Sequence, residues 1–235
     1  MVVLNDLFDY GLKIYQDKDK FKFSLDSLLL AEFTNVKKSD KKLLDLCSGN
    51  APLPLILASK HDIKITGIEI QKEINDLAEK SIKYNNLESK IEMLNLNALE
   101  TKKYFSRNSF DIVTCNPPFF KINENSKLNE KEEKRIARHE VTITLKEIIE
   151  VASYNLKDKG SFYLVHRPDR LEEIINYASE YNLHVKEIEF IFSNNEDYAI
   201  MVLLKYIKNA KLGVKIGSKI INRETESYQN IFKRR

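Results

Sequence analysis

LLDLCSGNAPLPLILASKHDIKITGIEI, at residues 43–70, is the stretch of sequence that decides the fold. Its first six residues are an apolar run with the length of a buried strand, and residues 52–60 predict the helix that follows. Residues 64–70 are rich in isoleucine and predict a second strand. A strand, a helix and a strand in this order predict parallel pairing through a right-handed crossover.

The same alternation continues along the rest of the chain. Helices are predicted at residues 71–84, 145–156 and 170–181. Further strands are predicted at residues 91–97, 110–116, 161–166, 185–192 and 198–207. The last two strands flank an asparagine-containing turn and predict a closing hairpin. The sequence therefore predicts one α/β domain over residues 1–235, with a mostly parallel seven-stranded sheet, helices on both faces and a C-terminal antiparallel hairpin.

The composition is that of a globular protein without a membrane or metal-binding signature. The chain has 235 residues, of which 43% are hydrophobic, and a formal net charge of +3. Its start lacks the pattern of a secretory signal, and no apolar stretch approaches the roughly 20 residues of a membrane span. The two cysteines and four histidines show no metal-ligand spacing. These features predict a soluble, cytoplasmic protein that binds no metal.

Polar residues follow three of the predicted parallel strands at the point where each strand ends. Ligands of open parallel sheets bind beyond such ends. Gly49 lets a ligand approach the backbone closely, and Glu69 can accept hydrogen bonds from both hydroxyls of a ribose. Asn97 can reach an adenine amino group. We expect cofactor contacts from Asp45, Cys47, Ser48, Gly49, Asn50, Glu69, Ile70, Asn97 and Ala98.

The number of glycines in this region decides between two cofactors. A dinucleotide-binding turn has three glycines, so that a pyrophosphate lies on the helix N-terminus. Here Gly49 stands alone in the turn, and Pro52 and Pro54 follow it. S-adenosylmethionine has a sulfonium and a carboxylate in place of phosphates, so the sequence favours S-adenosylmethionine over NAD. The alternative is that Asp45 and Glu69 are ordinary polar residues at strand ends.

Asn116-Pro117-Pro118-Phe119, after the fourth predicted strand, are the candidate catalytic residues. The exocyclic nitrogen of adenine is a poor nucleophile because its lone pair is delocalised into the ring. The Asn116 side-chain oxygen and the Pro117 carbonyl can accept hydrogen bonds from its two hydrogens and stabilise the developing charge. Phe119 offers a flat face on which an extruded base can stack. The alternative is a rigid loop without a catalytic role.

These segments, in this order, resemble the class I amino-methyltransferases with an [DN]PP[YF] motif. The matching sequences are DLCSGNAPLPL, GIEI, LNLNA and FDIVTCNPPF. FKFSLDSLLLAEF and RHEVTITLKEIIEVASYNLKDKGSFYLVHRPDRLEEII are similar to the bacterial valine-tRNA adenine-N6 methyltransferase family, which modifies the purine 3′ of the anticodon. The resemblance runs from about residue 21 to the terminal hairpin. It implies a Rossmann-like fold, S-adenosylmethionine as cofactor and tRNA as partner.

The resemblance also implies roles for individual residues. The NPPF turn would hold the target base, and Asn116 would also border the cofactor. Phe23 and Asp26 would lie near the methionine end of the cofactor, within an N-terminal lid at residues 1–40. Ala51 stands where the family pattern has a second glycine, and we expect it to narrow the approach of the backbone to the cofactor.

Two basic segments are candidate contacts for tRNA phosphates. The loop at residues 121–140 contributes Lys134, Arg135 and Arg138. A basic C-terminal extension at residues 205–235 contributes Lys205, Lys208 and Lys211. The alternative for both segments is a solvated surface, since acidic residues neutralise much of the charge in the loop. Weaker candidates, after the fifth strand, are Arg167 and Arg170.

Three other functions share these sequence features. Release-factor glutamine methyltransferases also carry an NPP motif, but they usually add a helical N-terminal domain, for which the stretch before Leu43 leaves no room. DNA adenine methylation is weakened by the lack of a separate target-recognition region. A non-catalytic RNA-binding protein would keep the fold without needing NPPF. The sequence therefore favours methylation of adenine N6 in tRNA, with no obligate protein partner.

Overall fold

Short strands alternate with helices in the computed structural model, which describes residues 1–7, 10–17, 25–117, 143–194 and 196–221. The strands are β1 (Val2–Leu7), β2 (Leu12–Asp17), β3 (Lys42–Leu46), β4 (Lys64–Glu69), β5 (Ile91–Asn95), β6 (Phe110–Cys115), β7 (Leu156–His166), β8 (Leu183–Ser193), β9 (Met201–Lys208) and β10 (Lys215–Ile221). The helices are α1 (Leu25–Phe33), α2 (Pro52–Lys60), α3 (Lys72–Tyr84), α4 (Thr101–Tyr104), α5 (Leu145–Asn155) and α6 (Leu171–Glu180). None of these helices is long and apolar enough to cross a membrane.

Eight of the strands form one sheet in the order β10-β8-β9-β7-β6-β3-β4-β5. β9 is antiparallel to β7 and β8, and all the other neighbours are parallel. The chain runs from β3 outward to β4 and β5 and then returns to the other side of β3 as β6 and β7. Because the strand order reverses between β3 and β6, the carboxyl ends of these two strands border the crevice where such sheets bind ligands.

The apolar run that decided the fold is buried on both faces of the sheet. Leu43 belongs to one hydrophobic core and Leu44 to the other, because successive side chains of a strand point to opposite faces. The first core includes residues of α1, α2 and α3, and the second includes residues of α5 and α6. The predicted helices on both faces are therefore confirmed.

The predicted fold class is confirmed, but the sheet has eight strands instead of seven. The additional strand, Lys215–Ile221, pairs in parallel with β8. The predicted C-terminal extension begins at Lys205, which lies within β9, so two stretches of that extension, residues 205–208 and 215–221, belong to the sheet. The hairpin is antiparallel as predicted, although β9 lies inside the sheet, between β7 and β8.

The hairpin of β1 and β2 packs beside the large sheet, on α3. Ser81 Oγ accepts a hydrogen bond from the Tyr15 backbone nitrogen at 2.9 Å, and Asn85 Oδ1 accepts one from the Lys13 backbone nitrogen at 3.0 Å. Asn50 Nδ2 donates to the Tyr15 carbonyl at 2.9 Å. This part of the predicted N-terminal lid is therefore joined both to α3 and to the loop that follows β3.

Candidate functional site

The loop between β3 and α2 reverses the chain with three left-handed residues. The φ angles are 55° at Cys47, 57° at Gly49 and 66° at Ala51. A Cβ atom at Gly49 would meet nothing within 4 Å, so the backbone of this residue borders open space. Ala51 is fully buried and belongs to the first hydrophobic core. The expectation that Ala51 narrows the cofactor's approach is therefore wrong, because its methyl group packs into the protein interior.

We expect Gly49→Ala to lower the free energy of unfolding by about 1 kcal/mol. The left-handed conformation costs an L-residue roughly 1–2 kcal/mol, and the stiffer unfolded chain offsets part of this. The surrounding space is open, so the cost comes from the backbone and not from a steric clash. Urea denaturation of the variant measures the change, and unaltered stability would show that the loop rearranges freely.

Asp45, at the end of β3, accepts hydrogen bonds from two neighbouring hydroxyl groups. Thr114 Oγ1 donates to one carboxylate oxygen and Ser48 Oγ to the other, both at 2.6 Å. Thr114 reaches it because the two residues are paired across β3 and β6. Asp45 is only 3% exposed, and this burial raises the pKa of its carboxyl to about 7. Asp45 therefore fixes the glycine-containing loop against β6.

Glu69, at the end of β4, is the second buried carboxyl group at this edge of the sheet. Its Oε2 accepts from the Gly49 backbone nitrogen at 3.0 Å and its Oε1 from the Gln71 backbone nitrogen at 2.8 Å. Burial raises the pKa of Glu69, although hydrogen bonds from the backbones of Gln71, Gly49 and Ile70 and from the Gln71 side chain favour the charged form. A carboxylate at the end of this strand is the group type that accepts hydrogen bonds from ribose hydroxyls.

The end of β5 supplies the third wall of the crevice. Asn97 Oδ1 accepts from the Leu99 backbone nitrogen at 3.0 Å and caps the short turn that begins at Ala98. Asn95 Nδ2 donates to the carbonyls of Glu69 and Ile70 at 2.9 Å and 3.0 Å. The hydrogen bond from the Leu99 nitrogen fixes the amide orientation of Asn97. The Asn97 oxygen keeps a second lone pair for a ligand.

Asn116 follows β6, beside the loop after β3, because Cys115 pairs with Leu46. Its Nδ2 donates to Ser27 Oγ in α1 at 2.9 Å. Pro117, the next residue, is buried. The structure thus brings Asn116 close to the residues after β3, as the sequence predicts. Ser27 also contacts Asn116, and the sequence did not indicate this residue.

The remaining candidate residues are distributed differently. Asp26 is half-buried in α1, one residue before Ser27. Ile70 is 41% exposed at the end of β4. Outside the described residues lie Phe23, Phe119, Lys134, Arg135 and Arg138.

The three C-terminal lysines do not form one basic surface. Lys208 is buried, and its amine donates to the carbonyls of Ser153 and Leu156 and to Asn108 Oδ1. Lys205 is half-buried, with its amine 4.0 Å from a Glu187 oxygen. Lys211 is exposed. It follows β9, which runs antiparallel to β7, so Lys211 lies at the edge of the sheet opposite the crevice. All three amine hydrogens of Lys208 are therefore occupied inside the protein, which leaves none for the predicted phosphate contact.

The crevice residues suit a cofactor of positive charge better than a dinucleotide. Asp45 and Glu69 are both buried, and among the described residues neither is ion-paired with a lysine or arginine. A pyrophosphate would add negative charge beside these carboxyls, whereas a sulfonium and an ammonium would stabilise their charged forms. The open space at Gly49 and the strand-end carboxylate of Glu69 fit an adenosyl group.

Comparison with known proteins agrees with this geometry. A family model described as the methyltransferase small domain matches residues 22–201. The chain is 24% identical over 217 residues to a tRNA1(Val) (adenine(37)-N6)-methyltransferase of Cytophaga hutchinsonii, covering 92% of this chain and 85% of that protein. It is 26% identical over 173 residues to a protein of the same description from Bacteroides thetaiotaomicron, covering 73% and 70% of the two chains. The crystal structure of a predicted O-methyltransferase from Agrobacterium tumefaciens superposes with a TM-score of 0.67 at 19% identity, covering 86% of this chain and 91% of that one.

Proposed function

The chain belongs to the methyltransferase small domain family, and from this premise we propose that it methylates N6 of an adenine in tRNA. As a member of a methyltransferase family, it takes its methyl group from S-adenosylmethionine. The observation that carries the proposal is the position of Asn116, an amide beside the crevice whose nitrogen is bound to Ser27. This leaves the acceptor end of the amide for an amino group.

Each wall of the crevice has a distinct task in this reaction. Bound S-adenosylmethionine would supply an electrophilic methyl group on its sulfonium. Glu69 would accept hydrogen bonds from the ribose hydroxyls, and Asn97 one from the adenine amino group of the cofactor. Asp45 would hold the loop containing Gly49 in place through Ser48 and Thr114.

The target amino group would meet two acceptors. Asn116 Oδ1 and the Pro117 carbonyl accept its two N–H groups, which draws the nitrogen towards tetrahedral geometry and frees its lone pair for attack. The same acceptors stabilise the positive charge that develops on the nitrogen. The methylated nitrogen then loses one proton to water, so no carboxylate base of the chain is required.

The relatives indicate which adenine this is. Two of them are described as acting on adenine 37 of a valine tRNA. We propose the same purine, 3′ of the anticodon, for this chain. An anticodon-loop base is already partly unstacked, so its extrusion costs only a few kcal/mol. Because the proposed substrate is tRNA, we also propose a cytoplasmic location.

Transfer of a labelled methyl group tests this function. The full chain is incubated with labelled S-adenosylmethionine and, separately, with unmodified tRNA, ribosomal RNA, duplex DNA and release factor. We expect label in tRNA, with N6-methyladenosine at the purine 3′ of the anticodon by mass spectrometry. Label only in release factor would assign the NPP turn to a glutamine amide, and label in no acceptor would favour a non-catalytic RNA-binding protein.

Arg167 lies at the crevice edge and is a testable phosphate contact. It is exposed and directly follows β7, whose carboxyl end is adjacent to that of β6. We expect Arg167→Glu to weaken tRNA binding more at 50 mM salt than at 200 mM salt, because a phosphate contact releases counterions. Lys211→Glu, at the opposite edge of the sheet, is the matched control with a smaller effect. Equal losses at both salt concentrations would remove Arg167 from the interface.

A further inference from the structure

The side chain of Asn116 has two chemically opposite ends, and only one of them suits an amino-group substrate. Its oxygen accepts hydrogen bonds, whereas its nitrogen donates two. The target amino group is itself a donor. If the amide were reversed, its N–H groups would face the N–H groups of the target amino group, and no hydrogen bond could form. The reaction therefore requires that Asn116 Oδ1 face the target.

Ser27 is the group that contacts the donor end of this amide. Its Oγ lies 2.9 Å from Asn116 Nδ2 and accepts a hydrogen bond from it. Ser27 is only 6% exposed, so water has little access to the bond. Because the amide is planar, the oxygen of Asn116 points away from Ser27. Within the described parts of the chain, no hydrogen bond engages that oxygen.

We infer that Ser27 is a positioning residue for the methyl transfer. Its hydroxyl oxygen anchors Asn116 Nδ2 and keeps Oδ1 directed at the target amino group, without touching the reacting atoms itself. This role rests on the proposed function of the crevice. It also gives α1 a task in the chemistry, since this helix and β6 are 89 residues apart in sequence at this contact.

Steady-state kinetics of Ser27→Ala test the inference. We expect kcat with tRNA to fall about tenfold, because the amide loses the hydrogen bond that holds its side chain in place beside the target amino group. The KM for tRNA and the Kd for S-adenosylmethionine should stay unchanged. Ser27→Thr keeps a hydroxyl oxygen at this position and should retain most of the wild-type kcat.

A second buried serine provides the matched control. Ser153, in α5, donates to the Tyr181 carbonyl at 2.9 Å and is 7% exposed. Ser153→Ala should lower stability without lowering kcat. A wild-type kcat in Ser27→Ala, or an equal loss of kcat in Ser27→Ala and Ser153→Ala, would overturn the positioning role.

Hydrogen exchange of the Asn116 side-chain amide decides the question independently of any substrate. Its NMR signals are assigned by their disappearance in Asn116→Ala. In the wild-type protein one Nδ2 proton should exchange slowly, and in Ser27→Ala its exchange should accelerate at least tenfold. Exchange that does not change would refute the anchor. If the wild-type chain transfers no methyl group to tRNA, the proposed function fails, while this measurement still decides the role of Ser27.

Discussion

Replacing Asn116 with alanine should lower kcat by roughly 10²–10³-fold while the affinity for S-adenosylmethionine changes little. The amide oxygen acts on the target nitrogen only as positive charge develops there, so its loss is felt in the transition state and not in the binding of the cofactor. Removal of one preorganised polar group from a comparable site costs about 3–4 kcal/mol of transition-state stabilisation. Single-turnover rates with tRNA, and calorimetry with the cofactor alone, separate the two quantities.

Asn95 provides a matched control for this prediction. It is also an asparagine at the end of a parallel strand, but its amide donates to the carbonyls of Glu69 and Ile70. Asn95→Ala should therefore disturb the ribose-binding wall and weaken cofactor binding without a comparable loss of the single-turnover rate at saturating cofactor. If Asn116→Ala keeps the wild-type rate, the NPP turn does not polarise the amino group.

The sequence predicted the sheet well where burial on both faces left a strong signal. Residues 43–46 read as a strand because Leu43 and Leu44 enter different cores, and each needs an apolar side chain. The edge strand Lys215–Ile221 gave no such signal. Most of its residues are exposed, so lysine, glycine and serine are acceptable there, and the sequence predicts a basic extension at this place instead of a strand.

The residues of the site were predictable as types, but their partners were not. Asp45 and Glu69 follow strands in a recognisable order, so they could be placed at one edge of the sheet. Thr114 became a partner of Asp45 through the register of β3 with β6. Ser27 meets Asn116 through the packing of α1. Register and helix packing are set by the whole fold, which local sequence patterns do not report.

The role of a charged residue, Lys208, could likewise not be predicted from local sequence patterns. A count of basic residues treats every lysine as exposed, yet this one lies at the end of β9 and contacts segments more than 50 residues away in sequence. Its amine caps the C-terminus of α5, which ends at Asn155. A cation there is favourable because the last carbonyls of a helix lack intrahelical partners and carry partial negative charge. Burial lowers the pKa of Lys208.

Lys208→Met should therefore lower the free energy of unfolding by about 3 kcal/mol. The substitution keeps most of the apolar side chain but removes hydrogen bonds to the carbonyls of Ser153 and Leu156 and to Asn108, at 2.6–2.9 Å. Bonds from a charged donor contribute roughly 1.5–3 kcal/mol each, and relief from burying the charge offsets part of the loss. For a domain of this size the midpoint of thermal unfolding should fall by about 6–12 °C.

The exposed Lys211 separates this structural role of Lys208 from an RNA contact. Lys211→Met should change stability by less than about 0.5 kcal/mol, as surface substitutions usually do. At a temperature where the Lys208→Met protein is still folded, its affinity for tRNA should equal that of the wild type, because the amine faces the protein interior. Weaker tRNA binding with unchanged stability would mean that the amine of Lys208 contacts phosphate after all. Thermal denaturation and tRNA titration of the same two variants therefore decide whether charge at the end of β9 serves the fold or the substrate.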